Sequence, residues 1–356
     1  AELARLAGDL ARRITAPLPL GDRELFFGVN IGTALSSDTD GGPDASANLL
    51  RAADTAMYRA KARGRNSIVA YDEGLRADVA RRVQISTWLN RALERNEITV
   101  AYQPQFRCLD GRQVGVEALM RWHQPEAGDI SPGEFVAIAE ESGAIIPIGA
   151  WVLQEACIRA AEWLRIAGTD FTVAVNLSPH QLIDPGLLDI VRSALLRSRL
   201  PATALMLEVT EGALIDDPEA ATEALAKLRA LGVRISLDDF GTGYSSLAYL
   251  AKFPVDELKV DRVFVRDIER DPRTRALAEG IVRIGHALGM RVLAEGVETP
   301  GQLRILTSAG CDCYQGFIAA AAESAERATE RLRHRALGRD IPPEAALAAG
   351  RSISLT

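Results

Sequence analysis

Eight polar residues lie at or near the ends of short apolar runs that have the composition of β-strands. They are Glu117, Asn176, Glu208, Asp238, Asp239, Lys259, Glu295 and Gln315. Most successive members are 20 to 36 residues apart, about one strand and one helix, and the 59 residues between Glu117 and Asn176 leave room for a further helical segment. Because the carboxyl ends of parallel strands converge when a sheet closes into a barrel, the spacing predicts that these side chains meet at one mouth.

A group of carboxylates at one mouth needs a compensating positive charge, because like charges repel at short range and burial increases the cost. The donors are oxygens, without Cys or His, which suits Mg²⁺, Mn²⁺ or Ca²⁺ rather than zinc. The adjacent Asp238 and Asp239 could serve two ions, which can activate a water and stabilise the leaving oxygen of a phosphodiester. Lys259 would then hold the water or the phosphoryl charge. A single carboxylate at a strand end is usually a cap or a solvated residue, so the prediction rests on the whole set.

The elements that must position these residues are visible from residue 97 onwards, where eight strand-like runs alternate with helical runs. The strand-like runs are ITVAYQP, VGVEALM, FTVAVNLS, LMLEVTE, RISLDDF, ELKVD, RVLAEGVE and CDCYQGF. Amphipathic stretches such as DPEAATEALAKLRALG lie between them, and this alternation favours a parallel sheet. Eight such units are typical of a closed (β/α)8 barrel, so the predicted fold class is α/β.

The residues before this region follow a different pattern. Residues 1–72 predict helix, strand, helix and strand, with FFGVNIGTAL and SIVAY as the strands. Residues 74–95 predict one long amphipathic helix, which either connects two domains or packs on the domain that follows. Beyond residue 336 the chain has Pro, Gly and Ala but little periodicity, and we expect a poorly ordered or loosely docked tail.

Composition and charge exclude several classes of protein. A net charge of −7 offers no basic excess for a nucleic-acid polymer. No run of 18 apolar residues is present, so no membrane-spanning segment is expected in this chain, although an anchor upstream of it stays open. The four cysteines are too few and scattered for a disulfide framework. Cys311 and Cys313 are therefore predicted to be buried thiols, and the expected location is the cytoplasm.

Residues 84–335 resemble the EAL domains, which are bacterial cyclic di-GMP phosphodiesterases. The matching motifs are Glu117-Ala118-Leu119 with Arg121-Trp122, Asn176-Leu177-Ser178, Glu208-Val209-Thr210-Glu211, Asp238-Asp239-Phe240-Gly241-Thr242-Gly243-Tyr244-Ser245-Ser246-Leu247, Lys259-Val260-Asp261, Glu295-Gly296-Val297-Glu298-Thr299 and Gln315-Gly316-Phe317. The resemblance implies a TIM-like barrel with an antiparallel first strand. It also implies that the chain hydrolyses cyclic di-GMP to linear pGpG with Mg²⁺ or Mn²⁺, most simply as two ions, and so controls the level of this second messenger.

The resemblance also assigns roles by motif position. The first metal would be bound by Glu117, Asn176, Glu208 and Asp238. The second would be served by Asp238 and Asp239. The shell around the metals and the attacking water would be completed by Lys259, Glu295 and Gln315. The residues expected to act in catalysis are Lys259, Glu295, Glu117 and Asp239. The positions that match contacts with the dinucleotide are Gln103, Leu119 and Arg121.

The glycine-rich loop after Asp239 has its own expected role. Its backbone N–H groups could bind phosphate, or the loop could move to order the metal pair. The resemblance implies that Glu211 and Glu298 steady this loop, and that the loop lies near the contact of a homodimer.

Residues 1–72 resemble the C-terminal half of a GGDEF (diguanylate cyclase) domain, on the stretches VNIGTA and ADTAMYRAKARGRN. The signature loop is absent, because Gly41-Gly42-Pro43-Asp44 follows the VNIG strand instead of preceding it. We therefore expect no cyclase activity from this remnant and an upstream sensor in the whole protein. The predicted segments are the remnant 1–72, a connecting helix 73–95, the phosphodiesterase domain 84–335 and the tail 336–356.

The chain departs from the family directly after Phe317. Residues 318–323, which we call the closing segment, read IAAAAE, where the family has an aromatic, a small residue, a basic residue and Pro. The alanine run predicts a helix here.

Two alternatives to a phosphodiesterase remain. One is a cyclic di-GMP receptor with little turnover, and the other is an unrelated barrel in which Lys259 forms a Schiff base, which borohydride trapping would detect.

Overall fold

The computed structural model describes residues 2–20, 23–36, 44–62, 64, 66–168, 170–215, 217–241, 250 and 252–336. The chain divides into two compact units, Ala1–Trp88 and Leu89–Thr356. The predictions for the glycine-rich loop and for the tail fall on residues 242–249 and 337–356, which lie outside the described part.

The first unit is a small mixed α/β assembly. Its helices are α1 Glu2–Ile14, α2 Ala45–Ala62 and α3 Glu73–Leu89, and its strands are β1 Leu18–Leu20, β2 Arg23–Leu25, β3 Ile31–Thr33 and β4 Ile68–Ala70. Strands β3 and β4 pair in parallel and lie within the two predicted strands. The antiparallel pair of β1 and β2 was not predicted.

The helix predicted over residues 74–95 is shorter than expected. It ends at Leu89, and residues 90–96 form turns. Asn96 adopts a left-handed φ of 56°, and the N–H of Glu97 donates back to the carbonyl oxygen of Ala92 at 2.9 Å. Asn tolerates this conformation better than most residues, so it ends the turns and directs the chain into the next strand.

The second unit is built around a closed barrel. Its strands are β5 Ile98–Arg107, β6 Gln113–Gln124, β7 Gly128–Ile130, β8 Thr172–Asn176, β9 Leu205–Thr210, β10 Arg234–Phe240, β11 Glu257–Val260, β12 Arg291–Ala294 and β13 Cys313–Tyr314. Eight of them close in the order β5-β6-β8-β9-β10-β11-β12-β13, and β7 extends the sheet beside β6. Strand β5 is antiparallel to β6 and β13, while the other neighbours in the barrel are parallel. This confirms the predicted (β/α)8 barrel with an antiparallel first strand.

Helices connect the strands of this barrel. They are α4 Pro132–Ser142, α5 Ile145–Ala167, α6 Pro179–Leu182, α7 Leu187–Ser198, α8 Glu211–Ile215, α9 Pro218–Ala230, α10 Arg262–Arg266, α11 Pro272–Ala287, α12 Pro300–Ser308 and α13 Ala325–Ala336. Several begin with Pro behind a capping side chain: Ser178, Asp217, Asp271 and Thr299 each accept a hydrogen bond from a backbone N–H of the first turn. Helices α4 and α5 occupy the long interval before Asn176. None of the described helices has the length and apolar character needed to cross a bilayer.

Two local predictions were wrong. Glu117 does not end its strand, because β6 continues to Gln124 through pairing with both β5 and β7. The closing segment is not helical, and the next helix begins only at Ala325. Tertiary contacts override the helix propensity of alanine here: Tyr102 and Glu323 exchange two backbone hydrogen bonds of 2.8 and 3.0 Å, and the start of the segment is buried.

Candidate active site

The side chain of Lys259 lies at the centre of a buried cluster of carboxylates. It comes from β11 and has no exposed surface. Its Nζ lies 2.6 Å from Glu295 Oε1, 2.8 Å from Glu208 Oε2, 3.1 Å from Asp238 Oδ2 and 3.8 Å from Glu117 Oε2. The carboxylates come from four different strands or strand ends, so the barrel brings together residues far apart in sequence.

The register of the strands explains this convergence. Asn176 pairs with Glu208 across β8 and β9, and Glu208 pairs with Ser236 across β9 and β10. Because side chains two residues apart share a face of a strand, Asp238 lies on the same inner face as Ser236. Pairing between β10 and β11 is irregular after Leu237, and Asp239 has a left-handed φ of 57°. This irregularity allows two consecutive aspartates to lie at the mouth of the barrel.

Amide side chains also donate hydrogen bonds to two of these carboxylates, Glu117 and Glu295. Glu117 Oε1 accepts from Asn176 Nδ2 at 2.8 Å, and Glu117 Oε2 accepts from Gln315 Nε2 at 2.6 Å. The same Gln315 nitrogen donates to Glu295 Oε1 at 3.0 Å, and Gln315 Oε1 accepts from Gln105 Nε2 at 3.1 Å. Gln105 is almost fully buried and was not predicted from the sequence. Its only signal was a glutamine inside an apolar strand.

Burial, together with the opposite charges and hydrogen bonds inside the cluster, shifts the pKa values of its members. Burial, with added repulsion from Glu117, raises the pKa of Glu208 well above its usual value. Burial also raises the pKa of Glu295 to about 8, although Lys259 opposes the shift. For Glu117, Lys259 and the hydrogen bonds from the amides outweigh burial, and its pKa is lowered. The surrounding carboxylates raise the pKa of Lys259 in spite of its burial, so it is an ammonium.

The donor set fits a hard divalent cation. Glu208 Oε1 is buried and has no hydrogen-bond partner among the described residues. A cation would supply that partner and offset the excess negative charge. Within the described part of the chain, no three His, Cys, Asp or Glu residues are already grouped for a metal. The carboxylates are instead directed at the Lys259 ammonium.

The predicted substrate residues lie along the hairpin of β5 and β6. Gln103 pairs with Glu117, and its Nε2 lies 3.4 Å from the carbonyl oxygen of Ala320 in the closing segment. Leu119 and Arg121 follow Glu117 at two-residue steps, so they share its face of the strand. Burial lowers the pKa of the half-buried Arg121, with Glu117 opposing. These side chains therefore border the carboxylate cluster.

The two predicted loop-stabilising residues differ in position. Glu211, at the start of α8, accepts a hydrogen bond of 3.2 Å at Oε2 from the N–H of Gly241. It therefore contacts the last described residue before the glycine-rich loop. Glu298 is exposed, and its backbone N–H donates to Gln302 Oε1 at 2.7 Å.

Comparison with known proteins places this arrangement in a family. Residues 86–322 match the family model described as EAL domain. The bifunctional diguanylate cyclase/cyclic di-GMP phosphodiesterase MucR of Pseudomonas aeruginosa is 42% identical over 349 residues, which are 98% of this chain and 48% of MucR. The cyclic di-GMP phosphodiesterase PdeR of Escherichia coli is 38% identical over 316 residues, 89% of this chain and 47% of PdeR. The chain thus spans about half the length of these curated relatives.

A solved structure agrees with the sequence comparison. The PaMucR phosphodiesterase in complex with c-di-GMP is 45% identical and superposes with a TM-score of 0.66, covering 69% of this chain and 99% of that one. The family model spans about two thirds of the chain and includes every residue of the buried cluster. The chain therefore belongs to the EAL domain family.

Proposed function

We propose that this chain hydrolyses cyclic di-GMP to linear pGpG with Mg²⁺ or Mn²⁺. The observation that carries the proposal is the convergence of four carboxylates on Lys259 at the mouth of the barrel. Relatives named as cyclic di-GMP phosphodiesterases, and a related phosphodiesterase solved with c-di-GMP, support the substrate.

The roles proposed for the residues follow from their chemistry. Metal would be held by Glu117, Asn176, Glu208, Asp238, Asp239, Glu295 and Gln315. When bound, two ions would supply an activated water and stabilise the charge on the leaving oxygen. Lys259 is an ammonium, so it can hold the carboxylates and donate to a phosphoryl oxygen, but it is not a base. A Schiff-base nucleophile needs a neutral amine, and the raised pKa of Lys259 disfavours that alternative.

The direct test is incubation of the chain with cyclic di-GMP and either Mg²⁺ or Mn²⁺, followed by chromatography. Formation of pGpG supports the proposal. Binding of cyclic di-GMP without any pGpG would instead identify a receptor. Failure to bind the dinucleotide at all would contradict both functions.

Replacing Arg121 by Ala is expected to weaken binding of cyclic di-GMP by about 2 kcal/mol, roughly 30-fold, because a charged hydrogen bond to phosphate is lost. Metal affinity should change little, since Arg121 carries no ligand oxygen. Titration calorimetry measures both affinities on the same protein. Arg165→Ala, on helix α5, is the control. An unchanged affinity for cyclic di-GMP, or an unchanged Michaelis constant, would refute the proposed contact between Arg121 and the phosphate.

Replacing Mg²⁺ by Ca²⁺ is expected to allow cyclic di-GMP to bind but to inhibit turnover. Ca²⁺ accepts more ligands at longer distances, so it would hold the reacting groups less strictly. A competition assay with Ca²⁺ added to the Mg²⁺ enzyme measures the inhibition. Rapid hydrolysis with Ca²⁺ alone would argue against the proposed metal role.

We also infer that residues 1–72 are the C-terminal part of a GGDEF-like domain without cyclase activity. The match to MucR, which extends over almost the whole chain, supports this. Homodimerisation through the phosphodiesterase domain and control by an upstream sensor are proposed with it. Synthesis of cyclic di-GMP from GTP by this chain would contradict the inference.

A further inference from the structure

The barrel closes where its first strand, β5, meets its last, β13. This seam has only two register pairs, Cys313 with Arg107 and Tyr314 with Phe106. Cys108 follows β5 directly, and its N–H donates to the carbonyl oxygen of Asp312 at 2.9 Å. Cys108 and Cys311 therefore lie at the same end of the seam.

The two thiols are neighbours, because both line one cavity and the backbone of Cys108 is hydrogen-bonded to the residue after Cys311. Their side chains interact, and Cys311 Sγ donates to the carbonyl oxygens of Cys313 at 3.2 Å and of Val292 at 3.5 Å. Cys311 is 5% exposed and Cys108 is half-buried. When both are protonated, Cys311 can donate to these carbonyls. When Cys108 is a thiolate, Cys311 can turn its proton towards it.

A cavity of about 540 Å³ gives small molecules access to this pair. It is lined by Cys108 and Cys311 and, among others, by Arg112, Arg234 and Arg291. It contains none of the residues of the carboxylate cluster. Because no three metal-binding side chains are grouped in the described structure, a metal site does not explain the paired thiols.

The environments of the two sulfurs differ in the way that disulfide formation requires. The hydrogen bond from Cys311 lowers the pKa of Cys108, and Thr307 adds to the effect, although burial opposes it. The same hydrogen bond and burial raise the pKa of Cys311 well above its usual value. Cys108 is also the more exposed of the two and lines the cavity, so it is the thiol that a dissolved peroxide reaches, and the buried Cys311 is the one that resolves the product.

We propose that Cys108 and Cys311 are a redox-sensitive pair that closes to an intrachain disulfide when the protein meets a hydroperoxide. The Cys108 thiolate attacks the peroxide, its O–O bond breaks, and a sulfenic acid and an alcohol or water form. The Cys311 thiol then attacks the sulfenic sulfur, the S–O bond breaks, and the thiol proton leaves with the hydroxyl group as water. The two thiols lose two electrons, and the peroxide gains them.

The bond would join the two strands that meet at the seam. It would close a loop that contains almost the whole barrel, from residue 108 to residue 311, and long loops lose the most chain entropy on cross-linking. Oxidation is therefore expected to raise the unfolding temperature. Since β13 leads directly to Gln315, the bond would also restrain the strand that carries this amide to Glu117.

The experiment treats the full chain with hydrogen peroxide, blocks the remaining thiols with an alkylating agent and digests the protein without reductant. Mass spectrometry should find a peptide that links Cys108 to Cys311, and dithiothreitol should reverse the link. The oxidised chain should unfold at a higher temperature than the reduced chain. Cys108→Ala and Cys311→Ala should lose both the linked peptide and the temperature shift.

Two matched variants serve as controls. Cys313→Ala removes the thiol nearest to the pair, and Cys157→Ala removes the buried thiol of helix α5. Both should still form the link. A disulfide to Cys313, a link between two chains, a Cys108 that ends as a sulfinic acid, or four intact thiols after oxidation would each overturn the proposal. The peptide map of the unmutated chain decides this even if a variant does not fold.

Discussion

A Lys259→Met variant is expected to lose hydrolysis of cyclic di-GMP and also to unfold more easily. Among the described residues, Lys259 is the only cation within ion-pair distance of the four carboxylates. Removing one partner of a buried ion pair costs about 3–5 kcal/mol, because the remaining charge has neither solvent nor a partner. Turnover should fall by roughly 10³-fold, since the group proposed to donate to the reacting phosphoryl is lost.

The measurement for Lys259→Met is denaturant unfolding in EDTA and in Mg²⁺, combined with the rate of pGpG formation. Added Mg²⁺ should recover more stability in the variant than in the unmutated chain, because the cation replaces part of the lost charge. Lys227→Met is the control, since Lys227 pairs with Glu223 on the exposed side of α9. Its change should stay within about 0.5 kcal/mol. A Lys259→Met protein of unchanged stability would contradict the electrostatic account of the cluster.

The barrel was predictable because each strand is a short apolar run between amphipathic helices, a pattern that survives in a single sequence. The hydrophobic periodicity did not predict that the first strand is antiparallel. That prediction came from the family resemblance. The antiparallel direction of β5 also explains why Gln105 was missed. Polar residues were sought at the carboxyl ends of parallel strands, and β5 runs in the opposite direction to its neighbours. The helix predicted for the alanine run is absent because Glu323 instead forms an antiparallel β-bridge with Tyr102. Such contacts, between residues about 220 apart, leave no local pattern.

Replacing Glu117 by Gln is expected to lower activity much more than stability. The amide has almost the same shape as the carboxylate and can keep one of the hydrogen bonds that Asn176 and Gln315 donate. The second oxygen becomes an amide nitrogen that faces a donor, and the charge removed is one that Lys259 and the amides favour, since the pKa of Glu117 is lowered. In EDTA the free energy of unfolding should therefore fall by about 1–2 kcal/mol, less than for Lys259→Met, because the shape and one hydrogen bond are kept. Hydrolysis should fall by about 10³-fold, because several kcal/mol of metal-derived stabilisation is lost.

The deciding quantity for Glu117→Gln is the increase in unfolding temperature on addition of Mg²⁺ or Mn²⁺, because it reports metal binding without reference to turnover. This increase should be much smaller in the variant. Glu97→Gln is the matched control: Glu97 is also buried and accepts from Trp122 Nε1 at 3.1 Å, but it lies outside the cluster. It should keep the full response to metal. Lys259→Met thus loses stability mainly in EDTA and recovers part of it with metal, whereas Glu117→Gln loses mainly the response to metal. Two folds that were merely destabilised would not differ in this way.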